Sequence, residues 1–475
     1  MRSSLPVMFI AAAFGIVSGC VSVPERVQVD SETPSGNFSM ASETAFNNTW
    51  WNQFDDPILT DLIVKALDAN KSLEVASANV RIAENLAARQ QLERSYSTGV
   101  SAQAELGRAP RPGQDVGFSL SSGIGASWEV DLFDRIGAQI AATEFDIVAA
   151  QQARRDIGVV VAGNTALNYI QLRGAQRRLE VARQNAETQA QGLDLLNTLL
   201  ENGRATRLDV ERAQALYRTT LASLPRFEAS ARTAKSALAA LTGQAANNPD
   251  AMLIGLVEEA GDIPEHRGLI AAGALEDMIR RRPDIRRAEA LIGRQLALSE
   301  ATRADLFPRV SLNLDLSSIF DDTNDIGDLT SLGFGIGPSI QWAGPDLRRV
   351  RADIDISDAR AEAEIAAYED TVITALSEVE IALTNYTQEL ARRADLQQAA
   401  ASAKRALELA SLRFEEGQDD FLDVLEAQRT VLDAEDRLAE SRLQASVQAI
   451  ATYRALGGVG LLDEAEPSTS EIILE

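Results

Sequence analysis

The chain has 475 residues, with 70 acidic against 45 basic side chains and a formal net charge of −25. A chain this acidic repels nucleic acid, and no basic patch offsets the charge, which excludes nucleic-acid binding. The only histidine, His266, excludes clustered-histidine metal sites and leaves one candidate base for a serine–histidine triad. We expect His266 to be a solvated residue in a proline-containing loop. We predict that the chain is not an enzyme and carries neither cofactor nor metal.

The N-terminus has the pattern of a secretion signal. Arg2 supplies a positive charge, residues 5–17 form a short apolar run, and small residues precede Cys20, which is the only cysteine. The apolar run is shorter than the roughly 20 residues that a bilayer-spanning helix needs. The sequence around Cys20 resembles a bacterial lipobox, which implies lipidation of Cys20, and Val21 after it resembles outer-membrane sorting. The alternative is an ordinary secretory signal with a chance cysteine.

Two alternating segments follow in the first half of the chain. In residues 116–132 apolar side chains take the even positions, except at Ser122, while glycine, serine and acids take the odd positions. Residues 100–106 alternate in the same way, which predicts two strands with one apolar and one polar face. A membrane-spanning strand needs about 9–11 residues, whereas soluble strands average roughly 5–6. We interpret these segments as membrane strands between lipid and water; strands of a soluble sandwich are the alternative.

A very long helical segment comes next. Residues 138–202 contain no proline and predict a helix of about 100 Å at 1.5 Å per residue. Gly203 then marks a reversal into another helix, because glycine tolerates the left-handed backbone that ends helices. Helices of this length depend on packing against neighbours, and a soluble coiled-coil rod is the alternative. Residues 244–283 change in character and indicate a small mixed segment outside the main helices.

The second half repeats the first at an offset of 214 residues. WEVDLFDRI from Trp128 aligns with WAGPDLRRV from Trp342, and NGRATRLDVERAQ aligns with EGQDDFLDVLEAQ with six identities in 13 positions. Chance gives roughly one identity, so we infer an internal duplication. The second copy predicts strands at 310–316 and 331–342, a long helix over 346–416 and a reversal at Gly417.

Four strands per chain cannot close into a barrel. Even eight strands leave an interior only wide enough for side chains. An open sheet edge in lipid would leave backbone hydrogen-bonding groups unpaired. Several copies of the chain must therefore share one barrel.

Together, the repeat, strands and paired helices resemble the TolC-type outer-membrane factors, particularly the lipoprotein branch of resistance–nodulation–division efflux systems. The resemblance implies an α+β membrane protein: a homotrimer whose twelve-stranded outer-membrane β-barrel, four strands per chain, continues into a long periplasmic α-helical barrel. It also implies contact with outer-membrane lipid and docking to a periplasmic adaptor and an inner-membrane efflux pump. The matching strings are RRRPDIRRAEALI from Arg280, ADLFPRVSLN from Ala304, SWEVDLFDRI from Ser127, FLDVLEAQRTVLDAEDRL from Phe421 and YRALGG from Tyr453.

The resemblance also assigns roles to the two helix reversals. Relatives narrow the tunnel entrance with acidic rings just after the second reversal, and threefold symmetry would concentrate these charges and favour cations. The alternative is that these acids complement the dipole of the helix that they begin. No arginine lies between Gly417 and Gln428, so the arginine latch that some relatives carry is not expected. The tunnel gate is assigned to Asp419, Asp420, Asp423 and Glu426, and the adaptor-docking tip to Gly203, Thr206, Asp209 and Gly417.

These inferences divide the chain into six segments. We predict a passive exit duct of a tripartite efflux system for small molecules such as drugs or other toxic compounds. The alternative is a lipid-anchored structural coiled-coil protein of the periplasm. The segments are a signal peptide (1–19), an N-terminal lipid-anchored segment (20–56), the first repeat (57–243), an equatorial segment (244–283), the second repeat (284–458) and an acidic tail (459–475).

Overall fold

The computed structural model describes residues 49–107, 117–258, 261–266, 270, 275–320, 332–344, 346–418 and 420–458. These residues fall into two compact units. The strand unit includes residues 81–149 and 288–368, and the helical unit includes residues 150–287 and 369–458 together with 49–80. Within the described ranges, no helix combines the length and the apolar character needed to cross a membrane.

The strand unit contains one antiparallel sheet whose strands follow chain order, β1-β2-β3-β4. The strands have 10 to 14 residues each, and all four predicted strands are present. The second and fourth are slightly shorter than the predicted runs 116–132 and 331–342. The predicted run 100–106 lies within the first strand, and 310–316 lies within the third. The strands are β1 (Ser97–Gly107), β2 (Gly117–Val130), β3 (Arg309–Phe320) and β4 (Leu332–Gln341).

Helices make up most of the remaining described residues. Short 3-10 turns cover Trp50–Phe54 and Leu92–Arg94. Both long helices that the sequence predicts are present and continuous. The helices are α1 (Pro57–Ala69), α2 (Lys71–Gln91), α3 (Arg135–Glu201), α4 (Arg207–Leu241), α5 (Ala251–Glu258), α6 (Leu275–Arg281), α7 (Pro283–Ala304), α8 (Arg348–Glu415) and α9 (Phe421–Ala455).

The internal duplication is visible in the lengths of the helices. Helix α3 has 67 residues and α8 has 68. Helices α4 and α9 have 35 residues each, and both ends of α9 lie 214 positions after those of α4. Each copy therefore contains two strands, one very long helix and a shorter helix that follows a reversal.

Local sequence signals fix the start of α1. The Asp56 side chain accepts a hydrogen bond from the Leu59 amide at 2.9 Å, and Pro57 occupies the first helical position. An aspartate cap satisfies an otherwise unpaired amide, and proline costs nothing there because that amide has no helical partner. The Tyr169 hydroxyl in α3 donates to the other Asp56 carboxylate oxygen at 2.8 Å. The cap thus also connects α1 to α3.

An aromatic cluster forms part of the core of the helical unit, and it corrects the expectation for His266. His266 is buried, with 4% of its surface exposed, so the prediction of a solvated residue was wrong. Its Nδ1 lies 2.9 Å from the Tyr386 hydroxyl, and its Nε2 lies 2.8 Å from the Tyr453 hydroxyl. Trp50 stacks on Tyr453 with ring centroids 5.2 Å apart. Burial raises the pKa of Tyr386 to about 12 and also raises that of Tyr453.

Residues 244–283 contain two short helices, α5 and α6, in their described part. Asp250 precedes α5, and its carboxylate accepts a hydrogen bond from the Leu253 amide at 3.0 Å. Lys65 in α1 forms an ion pair with Asp250 and holds the pKa of that carboxyl below its usual range. Asp250 therefore has two roles: it caps α5, and its ion pair with Lys65 connects this segment to α1.

Candidate functional site

The sheet presents one continuous apolar face. Its alternating side chains fall into register across all four strands, so apolar residues occupy neighbouring positions in a row. These side chains are exposed within the chain: Val100 and Phe334 each expose 83% of their surface. Exposed apolar area on this scale indicates contact with another apolar phase. One such row is formed by Val100, Ile124, Leu316 and Phe334.

The opposite face of the sheet is polar. Ser127 pairs in register with Asn313, and its hydroxyl donates to the Asn313 side-chain oxygen at 2.8 Å. Asp315 lies opposite Gly125 on one side and Gly335 on the other. Glycine and serine around carboxylate and amide groups leave room for water beside the strands. The alternation of apolar and polar residues in the sequence therefore gives the sheet one apolar and one polar face.

Tryptophans anchor the end of the sheet where the strands meet the helices. Trp128 lies near the end of β2 and donates through Nε1 to the Arg94 carbonyl at 3.1 Å. Trp342, its counterpart 214 residues later, follows β4 and donates to the Leu306 carbonyl at 3.0 Å. Indole rings with one apolar side and one polar group favour the boundary between hydrocarbon and water.

Two helix reversals in the helical unit have the same geometry. Gly203 and Gly417 adopt φ values of +67° and +71°, in the left-handed region that favours glycine. At the end of α3 and of α8, a backbone amide donates a hydrogen bond to the carbonyl five residues earlier. After α3, the Arg204 amide donates to the Leu199 carbonyl at 2.8 Å. The Gln418 amide donates to the Arg413 carbonyl at 2.9 Å. These are Schellman motifs, which end a helix and satisfy its last carbonyls.

The helices that begin after the reversals are capped differently. In the first copy Thr206 caps α4 and forms a capping box with Asp209. The hydrogen bond from the Thr206 side chain holds the pKa of Asp209 below its usual range. In the second copy Asp420 is the capping residue of α9 but makes no side-chain capping hydrogen bond.

A hydrophobic cluster joins the two reversals. Phe421 at the start of α9 contacts Phe414 at the end of α8, with ring centroids 5.1 Å apart. Leucines from α3 and α4 pack against the same cluster, so all four helix ends share one small core. The buried members are Leu196, Val210, Ala213, Phe421, Val424 and Leu425.

The acids predicted to form a gate lie on the surface of α9. Asp420, Asp423 and Glu426 are all exposed, whereas Val424 and Leu425 between them are buried in the hydrophobic cluster. Residues three apart lie on one side of a helix, so the three carboxylates point away from the core of the reversal. Asp419 lies outside the described residues, as does Cys20.

Two exposed leucines at the reversals were not singled out from the sequence. Leu208 and Leu422 are related by the repeat and expose 56% and 46% of their surface. Each lies two residues after the capping position of its helix. Their recurrence at the same position in both copies was the signal that could have identified them.

Comparison with known proteins identifies the fold and the function together. Residues 62–244 and 274–458 each match the family described as outer membrane efflux protein. The chain belongs to the outer membrane efflux protein family. One matched stretch lies in each half of the chain, and together they cover most of its length.

Individual members of the outer membrane efflux protein family align over nearly the whole chain. Nodulation protein T of Rhizobium leguminosarum bv. viciae is 28% identical over 89% of this chain and 87% of its own length. The pyoverdine export outer membrane protein OpmQ of Pseudomonas aeruginosa is 28% identical over 96% of this chain and 97% of its own. The solved structure of the outer-membrane channel OprN has a TM-score of 0.82 and 33% identity, covering 91% of this chain and 99% of that chain.

Membership confirms several predictions made from the sequence. The fold is that of an α+β outer-membrane channel with a periplasmic helical barrel. The chain is the outer-membrane component of an efflux system, located in the outer membrane and extending into the periplasm. The family's channels are trimeric and work with a periplasmic adaptor and an inner-membrane pump.

Proposed function

We propose that this chain forms a passive exit duct in which cargo crosses the outer membrane without chemical change. One observation carries this proposal: a four-stranded sheet that exposes large apolar side chains from all four strands on one face within a single chain. Val100, Ile336 and Phe334 each expose more than two thirds of their surface. Hydrocarbon is the phase that would accept such a face, and the polar face would then border a water-filled lumen.

The edges of the sheet support closure by three copies. Among the described residues, strands β1 and β4 each have a partner strand on one side only. In lipid, an unpaired strand edge costs several kcal/mol for each unsatisfied backbone group. Pairing β1 of one copy with β4 of the next removes every edge, and three copies give twelve strands.

The helix reversals are proposed as the surface that docks the periplasmic adaptor. Gly203, Thr206, Asp209 and Gly417 define this tip, and two exposed leucines next to them provide apolar contacts. The two reversals also differ in charge. Arg204 and Arg207 lie at the first reversal, while Glu416 and Asp420 lie at the second. An adaptor that meets both would present apolar groups flanked by charges of both signs.

The acids at the start of α9 are proposed as a gate. Asp420, Asp423 and Glu426 are exposed. The Asp420 side chain makes no capping hydrogen bond, so its carboxylate is not engaged at the start of the helix. Repeated in three copies around one axis, they would form rings of negative charge that attract cations and oppose anions. Asp419 is included in this gate from the sequence alone.

Cys20 is proposed as the site of lipid attachment. Its lipobox-like surroundings and its position as the only cysteine support this assignment. Two or more acyl chains give stable membrane anchoring, whereas one gives only marginal binding. Replacing Cys20 by serine should abolish incorporation of labelled fatty acid, and labelling that persists would contradict the assignment.

The proposed cargo class is small exported compounds, with drugs and other toxic molecules among them. One relative is named for pyoverdine export, so cargo in this family is not restricted to drugs. A passive duct needs no binding pocket for one substrate, because selection can take place at the pump. Consistent with this proposal, we assign no catalytic residue to the chain.

Single-channel recording in planar bilayers tests the duct. Purified protein should give discrete conductance steps, and Asp420→Asn, Asp423→Asn and Glu426→Gln together should raise conductance and weaken cation preference. A matched control replaces three exposed acids of α3 that lie outside the gate. The control variant is Glu187→Gln, Asp194→Asn and Glu201→Gln, which removes the same number of charges and should keep the cation preference.

The alternative role, a lipid-anchored structural coiled-coil protein, makes the opposite prediction. Such a protein would give no conductance, either as wild type or with the gate acids neutralised. It would also remain soluble once its lipid is removed. A monodisperse monomer in buffer without detergent would therefore rule out the duct.

A further inference from the structure

The apolar face of the sheet carries a groove with a volume of about 460 Å³. Its floor is formed by Ala126, Leu314 and Ile336, which are neighbours in register on β2, β3 and β4. The groove is open here because Ala126 is a single methyl between two large side chains of β2, Ile124 and Trp128. The groove is therefore a gap in an otherwise bulky apolar surface.

The groove has a polar end beside the tryptophan of β2. Arg94, Tyr96 and Trp128 line this end, next to the segment where α2 leads into β1. The Tyr96 side chain is 70% exposed, and the Trp128 side chain is 42% exposed. The Trp128 Nε1 already donates to the Arg94 carbonyl at 3.1 Å, which fixes the indole ring at the rim.

Arg94 differs from other arginines near the same end of the sheet. Arg135 pairs with Glu129 at 2.7 Å, and Arg309 pairs with Asp305 at 2.6 Å. The Arg94 guanidinium forms no such ion pair among the described residues, although it lies beside Gly137 of α3 together with the Asp134 carboxylate. A cation that no described acid pairs with, at the mouth of an apolar groove, matches an anion attached to a hydrocarbon chain.

We propose that this groove binds one phospholipid of the inner leaflet per copy, with an acyl chain over Ala126, Leu314 and Ile336 and the phosphate on Arg94. This inference rests on the proposed function, which places the apolar face in the membrane. Arginine binds phosphate through charge-assisted, paired hydrogen bonds. Tyr96 and Trp128 lie at the level that aromatic side chains occupy between hydrocarbon and headgroups. The leaflet follows from the periplasmic helices, which begin at this end of the strands.

Two other occupants would use the groove differently. The acyl groups proposed on Cys20 carry no phosphate, so they could fill the floor but would not need Arg94. A neighbouring copy pairs through the strand edges β1 and β4, which leaves the outer face of the sheet free. If occupancy of the groove depends on Arg94, the occupant is therefore a bilayer phospholipid and neither the acyl groups on Cys20 nor a neighbouring copy.

Native mass spectrometry of the full-length trimer tests the proposal by counting retained phospholipids. Wild-type protein released from membranes into mild detergent should retain up to one phospholipid per copy. Arg94→Gln should weaken retention about tenfold, as expected for loss of a charged hydrogen bond. Ala126→Leu, which fills the floor of the groove, should lower it as well. Arg89→Gln, an exposed arginine of α2 outside the groove, is the matched control and should retain lipid as wild type does.

The outcomes separate this inference from the proposed function. Retention that is unchanged in Arg94→Gln overturns the lipid site, even if the trimer still inserts in bilayers and conducts. If lipid retention disappears in Cys20→Ser but not in Arg94→Gln, the protein's own acyl chains occupy the groove. That result also overturns the proposed phospholipid site. Failure of the wild-type trimer to insert in bilayers would contradict the duct itself.

Discussion

Thr206 and Asp420 occupy the same capping position in the two copies of the repeat, yet only Thr206 closes a capping box. In that box the Asp209 amide donates to the Thr206 hydroxyl oxygen and the Thr206 amide donates to the Asp209 carboxylate. The Thr206 hydroxyl also donates to the same carboxylate oxygen at 2.6 Å. The second copy has Asp420 and Asp423 at these positions, and the same geometry would bring two carboxylates together. We infer that repulsion between the two carboxylates keeps the box from forming, which leaves both acids available to the proposed gate.

Replacing Asp420 by threonine should restore the capping box in the second copy. We expect the start of α9 to gain about 0.5–1 kcal/mol, the usual effect of a good helix cap. Hydrogen exchange of the first-turn amides of α9 measures this gain as slower exchange. The matched control is Thr206→Asp, which recreates the two-acid arrangement in the first copy and should speed exchange in α4. Unchanged exchange in Asp420→Thr would show that charge repulsion is not the reason.

The start of α4 should loosen in acid. The hydrogen bond from Thr206 holds the pKa of Asp209 below its usual range. A carboxyl whose pKa is lower in the folded state stabilises that state above its unfolded pKa, about 3.9 for aspartate. This stabilisation is lost as pH falls through the lower folded value. Hydrogen exchange of the first turn of α4 should therefore speed up below about pH 4, beyond the intrinsic pH dependence. Thr206→Ala should remove most of that change, and a pH profile that it leaves unaltered would contradict the assignment.

Gly417→Ala should destabilise the second reversal. The backbone at Gly417 has φ of +71°, and an added Cβ would meet no atom within 4 Å. The cost therefore comes from the left-handed backbone alone, at about 1–2 kcal/mol. Gly255→Ala is the matched control, since that added methyl also enters open space but lies within helix α5. The control should be neutral or stabilising by up to about 1 kcal/mol. Denaturation midpoints compare the two, and equal effects would refute the backbone explanation.

Two buried glutamines of α3 should respond oppositely to replacement by leucine. Neither side-chain polar atom of Gln189 has a hydrogen-bond partner among the described residues. By contrast, the Gln176 side chain accepts from Arg173 at 3.0 Å and donates to the Leu256 carbonyl at 2.7 Å. Gln189→Leu should raise the free energy of unfolding by about 1–3 kcal/mol, because it removes buried unpaired polar groups. Gln176→Leu should lower it by a similar amount. If Gln189→Leu proved destabilising, its amide would have a partner in the trimer.

Periodicity in the sequence predicted most of the fold. Alternation with period two placed all four strands, and the absence of proline set the extent of α3 and α8 within a few residues. The repeat at an offset of 214 residues predicted that the two halves contain the same elements in the same order. Gly203 and Gly417, predicted to end the long helices, adopt the left-handed backbone conformation. These features are local, or they recur at a fixed spacing, so one chain is enough to reveal them.

Contacts between distant residues could not be predicted in this way. His266 forms hydrogen bonds with Tyr386 and Tyr453, which lie 120 and 187 residues further along the chain. No local sequence pattern predicts such contacts. A histidine that directly follows a proline and a glutamate is typical of an exposed loop, which is why the sequence suggested a solvated residue. The missing capping box at Asp420 also depends on side-chain geometry that spacing alone does not give.

The hydrogen bond between Tyr453 and His266 should contribute measurably to the stability of the helical unit. Burial raises the pKa of Tyr453, so its hydroxyl stays protonated at neutral pH and remains bonded to the ring. Tyr453→Phe removes this 2.8 Å hydrogen bond and keeps the stacking on Trp50, so we expect a loss of about 1–3 kcal/mol. Tyr217→Phe, at a half-buried tyrosine of α4, should change stability by less than about 0.5 kcal/mol. Urea denaturation followed by tryptophan fluorescence measures both variants, and equal midpoints for the two would mean that the contact with His266 contributes nothing.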